Sequence, residues 1–169
     1  MGASVVAAYW TNEDGDGDFQ NGGAGNNWRL VAGGAAMGSG NYPDATSTLG
    51  SASGTAPNTN RPTTGTFHFS ITNAVSPMIS SFLNGAAIGN VTVNNAAANP
   101  TCAADITGNV VVTSGRFTIG TITISGTMDI AAASTLILAG TLTAVGEVTL
   151  AGTLFLTNQA LDCSVPLRV

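Results

Sequence analysis

The sequence predicts an all-β protein: a β-solenoid (β-helix-like) carboxy-terminal part, an irregular β/loop amino-terminal module and at most one short helix. Three observations carry that expectation. Aliphatic residues recur at a six-residue spacing near the end of the chain, and glycine stands at the matching turn positions. Charged residues make up only 8% of the 169 positions, against about 25% in an average soluble domain, so the surface must be built from Thr, Ser, Asn and backbone.

Residues 1–65 read as a cap or docking module. They are rich in Gly, Asn, Asp, Ser and Pro, with short apolar patches at Val5-Val6, Tyr9-Trp10 and Trp28 to Val31. The open ends of a solenoid must be covered or they pair with other chains. Tyr9, Trp10 and Trp28 are the candidates for fixing this module, by packing or by docking in assembly. The stretch from Thr46 to Thr64 reads as loop from its Gly, Pro, Asn and Ser content.

Residues 66–169 read as the β-repeat region. Thr66-Phe67-His68-Phe69-Ser70-Ile71 alternates, which puts Phe67, Phe69 and Ile71 on one face of a strand and His68 on the other. Ser76 to Gly85 predicts a helix of two turns at most: Ser76 can cap, Pro77 suits the first position and Asn84-Gly85 can end it. Its apolar stripe would be Met78, Ile79, Phe82 and Leu83.

From Ser134 the chain divides into consecutive sixes: STLILA, GTLTAV, GEVTLA and GTLFLT. The third positions are Leu136, Leu142, Val148 and Leu154, and the fifth are Leu138, Ala144, Leu150 and Leu156. Upstream, units at Gly120 and Gly126 carry the same Gly-Thr start, and looser copies begin at Asn109 and Arg116. A unit of six supplies a short strand and a tight corner, and three units would make one turn of a solenoid. An antiparallel meander of short hairpins is the alternative that the same alternation permits. Met128 to Ser134 (MDIAAAS) breaks the strict repeat.

The net charge of −5 and the absence of lysine argue against nucleic acid and against an anionic membrane surface as partners. No apolar run approaches the ~20 residues a bilayer span needs. Met1-Gly2-Ala3-Ser4 does not begin a charged and then apolar export signal.

Asn12-x-Asp14-x-Asp16-Gly17-Asp18 matches the opening of a Ca²⁺ loop, in which alternate side-chain oxygens surround a hard cation. The match lacks the twelfth-position Glu, which here is Gly23, and a solvated acidic turn is the alternative. Asn12, Asp14, Asp16 and Asp18 are therefore the candidate metal ligands and Ca²⁺ the one candidate cofactor. Cys102 and Cys163 are the two cysteines, so one disulfide is available; two buried free thiols are the alternative. The sole histidine, His68, reads as an outward surface residue rather than a catalytic base, and no Ser or Cys sits in a nucleophile setting such as G-x-S-x-G. Asp105, Asp129, Glu147 and Arg116 are the only charged candidates within the repeats. No catalytic residue is assigned, and the protein is expected not to be an enzyme.

Tyr9-Trp10, the Asp/Gly-rich turn after it and Asn26-Asn27-Trp28, followed by Gly-Thr-Leu β repeats, resemble the virion surface and fibre (decoration) proteins of tailed bacteriophages. The same features are similar to the β-repeat regions of secreted Bacteroidetes adhesins. The likeness covers about the first 45 residues by motif and the last 70 by texture. It implies a non-enzymatic structural protein on the virion surface: a capsid decoration, head fibre or adhesion element. Its implied partners are copies of itself in a homo-oligomer, a capsid protein or a host-surface glycan. The second reading is a secreted, cell-surface adhesin or extracellular filament subunit, and the third a carbohydrate-binding module.

Overall fold

A computed structural model describes residues 7–11, 18–20, 27–29, 43, 47–51, 53, 55–157, 161–163 and 167–168. In these the chain forms strands β1 (Ala7–Trp10), β2 (Trp28–Arg29), β3 (Thr48–Ser51), β4 (Thr66–Ile71), β5 (Ala87–Asn94), β6 (Thr101–Cys102) and β7 (Val110–Ile119). The series continues with β8 (Ile122–Ile124), β9 (Met128–Ile130), β10 (Ser134–Leu138), β11 (Leu142–Ala144) and β12 (Val148–Leu150). It ends with β13 (Thr153–Leu156), β14 (Leu161–Cys163) and β15 (Leu167–Arg168). Every pairing between these strands is parallel except β1 with β2, and the chain winds as a β-solenoid of about five turns. A meander would pair its neighbours antiparallel, so that alternative is excluded.

Three faces enclose the core. The first stacks β1, β3, β4, β5, the start of β7, β9, β12 and β15, with β2 at its outer end. The second stacks β8, β11 and β14, and isolated bridges extend it through Ile106 to Ile88. The third stacks β6, the end of β7, β10 and β13. Nine strands lie along the first face, about 38 Å deep at the ~4.8 Å spacing of paired strands.

Inward side chains form continuous columns. Phe69, Val91, Val110, Met128 and Val148 stack on the first face, with Ile71, Val93, Val112, Ile130 and Leu150 beside them, all buried. Ile88, Ile106, Ile124 and Ala144 line the second, and Phe117 and Leu136 the third. The hexad positions three and five point inward, as their spacing requires, up to Leu150. From β4 onward stacked strand partners lie 17 to 22 residues apart, so Leu138 stacks on Leu156 and Ile119, whereas Leu150, twelve residues on, belongs to another face. The extra residues of MDIAAAS form a turn in which Ser134 N–H donates to Ala131 O, and the strands on either side keep register.

Corners are closed by contacts between successive turns. The Nδ1 of His68 accepts from Asn90 N, Asn90 Oδ1 from Asn109 N and Asn109 Oδ1 from Thr127 N, each at 2.9 Å. Asn95, Thr113 and Ser134 each donate a side-chain hydrogen to a carbonyl 20 to 23 residues upstream. At one corner Gly108, Gly126 and Gly146 lie directly over one another, and a Cβ on Gly146 would collide with the carbonyl of Gly126. These interactions explain the low charge: polar side chains at the corners bond to the neighbouring turn, a task that hydroxyls and amides perform without the desolvation cost of ions.

Two expectations are corrected. The segment after Pro77 is only a 3-10 turn, Ile79–Phe82, with Met78 extended, bridged to Thr101 and 48% exposed. Pairing Met78 into a turn of the solenoid uses the residues a longer helix would need, and Ser76 Oγ accepts from Asn99 N instead of capping. Thr48–Ser51, read as loop, is a strand lying between β1 and β4. The ladder thus crosses the 65/66 position without a break, and Ala8, Trp10 and Trp28 belong to the same core as Leu136 and Val148.

Candidate functional site

The described acidic side chains of the repeats point away from the axis on separate faces or corners. Asp105 Oδ1 accepts from Thr123 N at 2.7 Å at the second face, and Asp129 is exposed on the first. Glu147 Oε1 pairs with Arg168 Nε at 2.6 Å, both side chains open to solvent. Such an exposed pair contributes about 0–1 kcal/mol. Among the described residues no group of three His, Cys, Asp or Glu converges as a metal cluster.

Asn12, Asp14 and Asp16 lie outside the described residues. Asp18 pairs with Thr59 through its backbone, and its carboxylate accepts from Gln20 N and from Asn60 Nδ2, both at 2.9 Å. It ties the amino-terminal segment to the Thr59-Asn60 loop.

Trp10 and Trp28 are fully buried, which removes them from any docking surface and makes them packing residues. Trp10 Nε1 donates to Thr55 O and Trp28 Nε1 to Phe19 O, both at 2.7 Å. Their rings meet edge to face at 5.2 Å, and the contacts continue from Trp28 to Phe19 and Phe67 and from Trp10 to Phe82 and Phe69. Six aromatic rings thus fill the amino-terminal end of the core. Tyr9 is half-buried on the outer side of the first face.

The disulfide available to Cys102 and Cys163 is not formed. Cys102 is a buried free thiol in the column with Ile119, on the third face. Cys163 pairs with Ala144 in the column of Ile124 and Ile106, on the second face and three strands above Ile106. That separation is about 14 Å along the axis at ~4.8 Å per strand, twice the ~7 Å Cα limit for a bridge. Burial pushes the Cys102 thiol up to about 11, with smaller opposing contributions from the Ala104 backbone, which lowers it, and from the charge of Asp105, which raises it.

The third face carries a surface feature with mixed chemistry. Arg116, Thr135 and Thr153 form one outward column, and Ile137 and Phe155 stand in the next. Together they line a hollow of about 330 Å³. Phe155 is 58% exposed, although large apolar residues of strands normally turn inward. Arg116 forms no ion pair or side-chain hydrogen bond with a described residue, whereas Arg61 donates to Ser81 O and Arg168 holds Glu147. The Thr135 and Thr153 hydroxyls are likewise unengaged among the described residues. Sequence reasoning singled out Arg116 but passed over Phe155. Its signal was legible: position four of GTLFLT is outward, and phenylalanine is the bulkiest residue at that position in the repeat.

Comparisons of this chain with protein-family models, with curated proteins and with solved structures find no match.

Proposed function

We propose that this chain is a non-enzymatic structural element of a virion surface, a capsid decoration or adhesion element that assembles with copies of itself or docks on a capsid. The observation that supports it best is the distribution of polar bonding. From His68 to Thr157 the corner side chains bond one turn to the next, which ties the described turns into one continuous block. At the amino-terminal end β2 pairs antiparallel with β1, which interrupts the parallel ladder among the described strands and suits a discrete block better than an endlessly growing fibre. Four arginines and no lysine leave few sites for trypsin-like proteases, a property suited to an exposed particle surface. The Tyr9-Trp10 and Asn27-Trp28 resemblance supplies the virion setting.

The test is incorporation into particles. Trp10→Ala, which opens the aromatic end of the core, is expected to lower incorporation far more than His68→Ala. Equal incorporation of the two, or a gene neighbourhood without capsid, portal or tail genes, would overturn the reading. The second reading, a cell-surface adhesin or extracellular filament subunit, is favoured by the exposed Arg116–Phe155 hollow. An export signal upstream in the gene would decide for it.

A further inference from the structure

We infer that the hollow on the third face binds an acidic sugar, a pyranose carrying a carboxylate within a glycan. The inference deepens the adhesion part of the proposed function and takes its biological setting from it. Four features of the hollow converge on that chemistry. An exposed aromatic ring offers an apolar plate for the C–H face of a pyranose, and Phe155 is such a ring on a rigid strand. Thr135 and Thr153 sit one strand apart in register, and each hydroxyl both donates and accepts, as sugar hydroxyls require.

Charge selects the acid. The chain has a net charge of −5, yet its third face presents the Arg116 guanidinium with no carboxylate beside it among the described residues. A guanidinium binds a carboxylate through two parallel hydrogen bonds, a geometry that lysine cannot reproduce. Arg116 and Phe155 lie two strands apart, about 10 Å along the axis, with the threonine column starting from Arg116. The spacing leaves room for a short glycan segment, its carboxylate at Arg116 and a ring on Phe155. The volume of about 330 Å³ lies at the small end of the ~300–1,000 Å³ range of ligand sites, which fits a saccharide rather than a folded protein partner.

The experiment is binding of the isolated full chain to a panel of sialylated, uronate-containing and neutral oligosaccharides, followed by calorimetric titration of the best binder. Acidic glycans are expected to bind and their neutral counterparts not. Arg116→Gln and Arg116→Lys should each weaken binding by about tenfold or more, and Phe155→Ala similarly, with unchanged thermal unfolding. Binding should weaken as salt rises. Silence of the whole acidic panel, or equal binding by wild type and Arg116→Gln, overturns the inference. Particle incorporation of Arg116→Gln should stay at the wild-type level, so failure here and failure of the virion reading are separable.

Discussion

A Cβ on Gly50 would stand 2.6 Å from both Cδ1 and Cε1 of Tyr9: the tyrosine ring occupies the volume that any other residue at position 50 would need. The two residues are paired in register on β3 and β1. Tyr9 thereby covers the outer side of the first face near its amino-terminal end. Gly50→Ala should destabilise the fold by about 1–3 kcal/mol through overpacking. Tyr9→Ala should remove that penalty in the double variant. Urea unfolding of the four proteins of the cycle measures it, and additive losses would show that the ring and the glycine are independent.

The aromatic cluster sets the second prediction. Trp10 is completely buried, touches the rings of Trp28 and Phe82 and donates to Thr55 O. Trp10→Ala should lower stability by about 3–5 kcal/mol, the range for large aromatic truncations. His68→Ala removes an acceptor for Asn90 N at a solvent-facing corner and should lower it by about 1 kcal/mol. Chemical denaturation that ranks the two alike would contradict the internal role of the indole.

The corner ladder gives a third. Asn109 accepts nothing that an aspartate could not, since its Oδ1 receives the Thr127 N–H at 2.9 Å. Asn109→Ala should cost about 1 kcal/mol and lower the melting temperature by about 2–4 °C, whereas Asn109→Asp should stay near wild type. Thermal unfolding followed by circular dichroism distinguishes the two.

Cys102 makes stability depend on alkaline pH. Its ordinary value of 9.0 is raised to about 11 in the fold by burial. Below pH 9 the thiol is neutral both folded and unfolded, and its contribution is fully present. Between pH 9 and 11 the unfolded chain ionises while the folded one does not, so stability falls as pH rises. The loss is about 2–3 kcal/mol at ~1.4 kcal/mol per unit, complete above pH 11. Cys102→Ala should lack this component, which denaturant titrations at pH 8 and pH 11.5 would expose as a difference between the two proteins.

Much of this architecture is legible in residues 134–157 alone. Whether a side chain faces in or out is a local matter of strand alternation, so Leu136, Leu142 and Val148 announce themselves as core and Gly140 and Gly146 as corners. Which residue lies above which is not local. It depends on the length of a whole turn, including the added residues at Ala131 to Ser134, and that length decides that Leu138 meets Leu156. The same non-local geometry sends Cys102 and Cys163 to different faces. It draws Trp10 inside, where its ring meets Phe82, 72 positions away in sequence. Arg116 and Phe155, 39 positions apart, share one hollow only because two turns of the coil return the chain to the same face. Alternation along a strand follows from covalent geometry, whereas stacking follows from closure of the coil, and only the folded chain contains that closure.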